Sequence, residues 1–170
     1  MDTKETAKTV QESMVETYHI VQPGDLNDAN RLYGGVLMSW IDEVAALVGR
    51  RHGRMKVTTG AVENLRFLHG AYVRDIVYIN GRVTYVGNTS MEVRVDSYVE
   101  HITGERELIN RAFLTLIGLD DNDRPARVPR LLVQSEEEQR DWNNAEIRRK
   151  IRAEQQRDGF DFYGDDLSRK

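Results

Sequence analysis

The sequence predicts an α+β fold: one curved antiparallel sheet wrapped around a long central helix, followed by a charged C-terminal helix. Three observations carry this expectation. The stretch from Val36 to Val48 is apolar around most of its helical circumference, and such a helix is buried rather than laid on a surface. Four later stretches place apolar residues at strand period. The joints between them are short and carry turn residues, which suits antiparallel neighbours. With 170 residues, the chain is long enough for one domain with a solid core.

Taken in order, residues 1–8 are polar and expected to be flexible. Thr9 to Val21 reads as a strand, ending in the β-branched and aromatic run Thr17-Tyr18-His19-Ile20-Val21. Pro23-Gly24-Asp25 breaks it. The loop that follows holds Asn27, Asp28 and Asn30, residue types that form turns and cap helices. The helix then opens at Gly34-Gly35, with Leu37, Ile41, Val44 and Val48 on one face. Arg50-Arg51-His52-Gly53-Arg54 closes it. Positive charge suits the negative end of a helix, so capping is favoured there over a basic rim for a phosphorylated ligand.

Strands are expected over 56–67, 75–86, 90–101 and 106–119, joined at His69-Gly70, Gly87-Asn88 and Thr103-Gly104. Ser135 and Glu138 fit a capping box for a helix to about Gln156, with Trp142, Ala145, Ile147 and Ile151 as a thin apolar stripe. This helix is expected to dock lightly on the sheet or on a partner. The organisation is thus a flexible N-terminus (1–8), a main domain (9–132), a charged helix (133–157) and a flexible tail (158–170).

Composition excludes several chemistries. The net charge of −4 implies no general attraction to nucleic acid. The absence of cysteine removes disulfides, thiol catalysis and Cys-ligated zinc. His19, His52, His69 and His101 lack metal-ligand spacing, so no metal is expected. Neither a signal-peptide core nor a transmembrane run is visible, and a cytoplasmic location without membrane association is the expectation. No Walker A, dinucleotide-glycine or Gly-x-Ser-x-Gly motif is present.

Two features remain as chemistry. Asp42 and Glu43 interrupt the apolar helix. An acid withdrawn from water needs partners or a task, and the spacing leaves a structural network and a catalytic acid or base equally open for Asp42. Gly34 and Gly35 stand where the first N–H groups of the helix lack internal partners and lie at its positive end. Those groups can stabilise developing charge on a carbonyl oxygen, or the pair is simply a tight turn.

Asn27, Leu32-Tyr33-Gly34-Gly35 and Met38-Ser39-Trp40-Ile41-Asp42-Glu43 together resemble the signature of hot-dog-fold acyl-CoA thioesterases of the acyl-CoA hydrolase (YciA/BACH-like) family. Thr58-Thr59, Phe67, Val86-Gly87-Asn88-Thr89-Ser90-Met91-Glu92-Val93 and Val128-Pro129-Arg130-Leu131 match later blocks in order, so the resemblance covers roughly residues 9 to 152. It implies a hot-dog fold and hydrolysis of acyl-CoA to a carboxylic acid and CoA. Asp42 takes the place of the catalytic acid, as general base or nucleophile. Asn27 takes that of the loop asparagine, and Gly35 that of the oxyanion donor. With Gly34, the turn Gly87-Asn88-Thr89-Ser90 would border the CoA channel. No cofactor is implied, CoA being part of the substrate. The resemblance further implies a homodimer with sites shared between subunits, assembling further as a trimer of dimers.

The chain departs from the family pattern in two places. Ala29-Asn30 stands where a glycine is usual, and His69-Gly70-Ala71 with Arg74-Asp75 replaces a Pro-Val and Gly-Asp turn. Two other classes stay open: a non-catalytic acyl-CoA-binding hot-dog protein, and an acyl-thioester dehydratase or hydratase. The latter usually needs a histidine, which neither the loop nor the helix supplies where its acid and base would stand.

Overall fold

A computed structural model describes residues 7–157. In chain order the elements are β1 (Lys8–Thr9), α1 (Val10–Ser13), β2 (Val15–Ile20), a 3-10 turn (Pro23–Asp25), α2 (Gly34–Gly53), β3 (Lys56–Phe67), β4 (Ile76–Val86), β5 (Ser90–Glu100), β6 (Arg106–Leu119), β7 (Leu131–Leu132) and α3 (Glu136–Arg157). The tail expected to be flexible over 158–170 lies outside the described residues, as do residues 1–6.

The strand expected from Thr9 to Val21 is in fact three elements. Thr9 caps a single helical turn through a box with Glu12: the Glu12 N–H donates to the Thr9 hydroxyl at 3.3 Å, and the Thr9 N–H donates to the Glu12 carboxylate at 2.7 Å. Two reciprocal bonds over four residues outcompete an extended backbone there, and β2 begins only at Val15. Lys8, expected in the flexible end, is buried and pairs in register with Leu131.

The main sheet runs in the order β2-β4-β5-β6-β3, antiparallel throughout. Strands β4, β5 and β6 form the expected meander. The His69-Gly70 joint, however, is not a hairpin: β3 pairs with β6 on the far edge, not with β4. Residues 68–75 cross the end of a curled sheet, whose curvature shortens the distance between its edges.

The concave face packs on α2. Leu37, Ile41, Val44, Ala45 and Val48 of the helix join Val77, Ile79, Val93, Val95, Ala112, Leu114 and Leu116 of the sheet in one buried core. Gly81 and Gly49 allow the close approach: a Cβ on Gly81 would stand 2.6 Å from Val44, and one on Gly49 2.6 Å from Leu116. Among the described residues only this side of α2 is covered. Met38, Asp42, Glu43 and Leu47 are exposed in the chain, so the expectation of a helix buried on nearly every side holds for one face alone.

The convex face carries charge. α3 lies across it, clamped by ion pairs more than by the expected apolar stripe. Asp141 accepts from Arg82 at 2.8 Å and from Arg94 at 3.0 Å, while Asp96 accepts from Arg94 at 2.7 Å and Arg111 at 2.6 Å. Arg148 donates to Glu92 at 2.6 Å, and Arg152 pairs with Glu63. Ala145 is buried and Trp142 packs on Tyr85 with ring centroids 4.5 Å apart. Ile147 and Ile151 point away from the sheet and are exposed, because Asp141, Trp142, Ala145, Arg148 and Arg152 occupy the inward positions of the helix. Ser135 does cap α3, accepting from the Glu138 N–H at 3.2 Å. Among the described residues no helix is long and apolar enough to cross a membrane.

Candidate active site

The uncovered side of α2 and the edge strand β3 frame a groove of about 330 Å³, lined by Met38, Ser39, Ile41, Asp42, Thr59, Val62, Leu65 and Leu114. Asp42 is therefore not sequestered within the chain, as the sequence suggested; it faces this open groove. The physical reason is the one-sided wrap of the sheet. Asp42 does not point into bulk unpartnered, though. The Thr59 hydroxyl on β3 donates to Asp42 Oδ1 at 2.6 Å, a bond that fixes one rotamer of the carboxylate and leaves Oδ2 for other work.

Gly35 lies on the same face of α2, because seven residues bring the helix round to within about 20° and advance it about 10 Å. Tyr33 is the N-cap residue, without a side-chain cap bond, and its carbonyl accepts from the N–H of Val36 at 3.0 Å and of Leu37 at 3.1 Å. Among the described residues the N–H groups of Gly34 and Gly35 find no acceptor. Aromatic rings press on both glycines. A Cβ at Gly34 would stand 3.1 Å from Phe67, and one at Gly35 2.6 Å from Tyr33. The pair thus leaves open donors at the positive end of α2, on the helix face that also carries Asp42.

Asn27 serves its loop and retains a free end. Its Oδ1 accepts from the N–H of Ala29 at 3.0 Å and of Arg31 at 3.1 Å, which is the turn-forming role of such a residue. Its amide NH2 has no partner among the described residues, and no hydrogen bond joins it to Asp42 within the chain. Asn30 and Arg74 adopt left-handed backbone, with φ of 57° and 73°. These fall at the two departures from the family pattern, so the chain keeps a conformation that glycine favours while using costlier residues.

The Gly87-Asn88-Thr89-Ser90 turn does not line the groove. Gly87 N–H donates to the Ser90 carbonyl at 2.8 Å, and the carbonyls of Asn88 and Thr89 accept from Val128 at 3.0 Å and Gly118 at 2.9 Å. The register sets Met91, just after the turn, in line with Leu116 and Thr59, about 10 Å across two strand spacings from Thr59.

No histidine reaches the groove. The His19 ring stacks on Trp40 at 4.2 Å, and burial holds it below the usual histidine range. His52 is fully buried, with Nε2 donating to the Pro129 carbonyl at 3.0 Å and Nδ1 facing the Ser13 hydroxyl at 3.4 Å; burial likewise pushes it down. Among the described residues no group of three His, Cys, Asp or Glu is placed to hold a metal. Thr59 is the site residue that sequence reasoning missed. Its signal was present in the Thr58-Thr59 match, but nothing local said that one hydroxyl would turn toward the helix.

The sequence model of the Thioesterase superfamily matches residues 29–104. A Bacillus subtilis protein named as an uncharacterized acyl-CoA thioester hydrolase is 41% identical over 139 residues, covering 81% of this chain and 80% of its own. The cytosolic acyl coenzyme A thioester hydrolase of Rattus norvegicus is 32% identical over 136 residues, but this chain spans only 35% of its length. Among solved structures, an apo-hexameric acyl-CoA thioesterase superposes with a TM-score of 0.84 at 34% identity, covering 88% of this chain and 96% of the other. An acyl-CoA hydrolase of Staphylococcus aureus, solved with butyryl coenzyme A, coenzyme A and coenzyme A disulfide, superposes at 0.84 with 28% identity, covering 94% and 99%. Alanine variants of that enzyme at an aspartate, an asparagine and a threonine have also been solved. Sheet order, central helix and these likenesses agree: the chain belongs to the thioesterase superfamily, as a thioester hydrolase of its hot-dog acyl-CoA group.

Proposed function

We propose that the protein hydrolyses acyl-CoA to a free carboxylic acid and CoA, with Asp42 at the reacting centre. The observation that carries this reading is the Thr59–Asp42 hydrogen bond in a groove two helical turns from the open N–H groups of Gly34 and Gly35. Asn27, Asp42 and Thr59 are separated by 15 and 17 residues, the same separations as the three positions changed to alanine in the Staphylococcus aureus enzyme.

In this mechanism Asp42 takes a proton from water as the water oxygen attacks the thioester carbonyl carbon. The oxyanion accepts a hydrogen bond from the Gly35 N–H. The C–S bond then breaks, and the proton goes to the departing CoA sulfur. Asp42 could equally attack first and form an anhydride that water opens; single turnover in isotopically labelled water separates the routes, since only the anhydride route leaves label in the enzyme's carboxylate. Because Oδ1 of Asn27 is committed to its loop, Asn27 acts through its NH2, as a donor to the carbonyl oxygen or to the water.

A second copy of the chain completes the site. It covers the open side of α2, where Met38, Val62 and Phe67 are exposed, and brings its own Asn27 to the groove; such dimers assemble further as trimers of dimers. The Gly87–Ser90 turn belongs to the CoA channel in the same reading, and the enzyme works in the cytoplasm without a cofactor.

Thiol release from acyl-CoAs of graded chain length tests the activity. Asp42→Asn should fold and bind CoA yet lose about a hundredfold or more in turnover; retained turnover refutes the role of Asp42. Mixing Asn27→Ala with Asp42→Asn under subunit exchange should restore activity through hybrid dimers. A mixture no better than either variant refutes the shared site.

A further inference from the structure

The C-terminal end of α2 carries positive charge that the described residues do not neutralise. Two open cavities adjoin there, of about 670 and 500 Å³, and Arg50 and Arg54 line both. Lys56 joins them in the first, Lys8 and Arg51 in the second, and among the described residues only Asp123 and Glu12 bring negative charge. Both acids are engaged: Asp123 accepts from Lys56 at 3.1 Å, and Glu12 is bound into the Thr9 cap. Arg51 donates to the Met14 carbonyl at 2.9 Å, and Lys8 donates to the Arg51 carbonyl. Among the described residues the guanidinium groups of Arg50 and Arg54 have neither an ion pair nor a hydrogen bond. This concentration stands in a chain of net charge −4.

Helix capping accounts for part of it, since cations favour the negative end of a helix. It does not account for the rest. Lys8 comes from β1 and Lys56 from β3, so separate elements converge on one spot. Lys8 is held below the ordinary lysine range, first by burial and next by the charge of Arg54, so the cations repel one another as they stand. Arg54 also adopts the left-handed C-cap conformation, φ 50° and ψ 37°, where glycine is the easier residue. A large cation kept in a costly conformation, unpaired at the mouth of two cavities, is a local strain that points to a task.

We infer that Arg50 and Arg54, with Lys8 and Lys56 behind them, form a binding site for phosphate groups. The chemistry fits, because guanidinium forks match phosphate oxygens bidentately. Placement suggests two sources. Arg50 and Arg54 lie about 12 and 18 Å along the helix axis from Asp42, a distance an extended pantetheine arm can bridge, so the phosphates of the substrate's CoA are one. A free phosphorylated ligand is the other. The first source rests on the proposed function; the second does not.

The test uses the full-length protein and the double variant Arg50→Gln/Arg54→Gln, with far-UV circular dichroism confirming the fold of each. Inorganic pyrophosphate is titrated calorimetrically into both proteins, and kcat/KM is measured for one acyl group carried on CoA and on N-acetylcysteamine, which has no phosphate. A drop of about tenfold or more in the ratio of the two kcat/KM values, seen in KM, supports the site and assigns it to CoA. Lost pyrophosphate binding with an unchanged ratio supports the site and assigns it to a free ligand. With an unchanged ratio, wild-type protein that binds no pyrophosphate, or a double variant that binds it as well as the wild type, overturns the inference. Should the double variant not fold, Lys8→Gln and Lys56→Gln are read by the same two measurements. Failure of the wild type to hydrolyse either thioester would instead count against the proposed function, whatever the pyrophosphate titration gives.

Discussion

Replacing Thr59 by valine isolates the contact on which the catalytic reading depends. Valine keeps the β-branched shape that suits β3 and removes only the hydroxyl that donates to Asp42 at 2.6 Å. A hydrogen bond to a charged group is worth about 1.5–3 kcal/mol, and each 1.36 kcal/mol in the barrier is about tenfold in rate. If that bond holds Asp42 in its reactive rotamer, Thr59→Val should lower kcat by about ten- to a hundredfold. KM should move much less, since Thr59 has no acyl or CoA group to hold in this scheme. Thr59→Ser retains the donor and should retain most of the turnover. The assay is thiol release at saturating acyl-CoA, with circular dichroism to confirm an unchanged sheet. Wild-type kcat in the valine variant would refute the argument, and so would a serine variant as slow as the valine one.

Three further outcomes follow from the same geometry. Gly35→Ala places a methyl 2.6 Å from the Tyr33 ring, but that ring is exposed and can swing away, so the melting temperature should shift by no more than a few degrees, as about 1 kcal/mol implies. Turnover should fall about tenfold, because the methyl crowds a donor whose full loss costs about a hundredfold or more; thermal melts and thiol release on one preparation check both halves. Asp96→Ala leaves Arg94 with Asp141 alone and takes from the half-exposed Arg111 its carboxylate on the convex face. Burial alone would raise the Asp96 carboxyl, but its hydrogen bonds from Arg94 and Arg111 outweigh that and hold it low, so urea unfolding should show a loss of about 2 kcal/mol. Finally, burial holds His52 below the usual histidine range. Between its lowered value and about 6.5 the unfolded chain binds a proton that the folded chain does not, so stability is full above this window and falls as pH drops through it. His19 acts in the same direction. Urea midpoints at pH 5.5 and 7.5 should differ, and His52→Asn should flatten the difference.

Much of this architecture was legible in the residues. Alternation located β3 to β6 to within a residue at their ends, and the Gly-Gly pair marked the start of α2, because both signals are local and repeat over many positions. What failed was short or distant. The Thr9–Glu12 capping box was in plain view, yet one helical turn is shorter than the window in which a period can be counted, and the strand-like run after it absorbed it. The position of β3 beyond β6 depends on how the sheet curls, which no joint length reveals. On α3, counting apolar residues favoured Ile147 and Ile151, whereas the convex face of the sheet is ionic and selected Asp141, Arg148 and Arg152 instead.

The exposure of Asp42 follows from the same limit. Hydropathy periodicity reports which side chains avoid water, not what covers them. Around α2 it merged two surfaces: Leu37, Ile41, Val44 and Val48, which the chain's own sheet covers, and Met38 and Leu47, which nothing among the described residues covers. Reading both as one buried circumference made Asp42 look sequestered. Separated, they place it at a boundary, hydrogen-bonded to Thr59 within its own chain and bordered by apolar residues left open. In the proposed dimer, a carboxylate so placed would be anchored before the partner arrives and withdrawn from water only when it does. In the proposed dimer, assembly would therefore create the low-dielectric surroundings in which the Gly35 N–H and the partner's asparagine exert their full effect on the thioester.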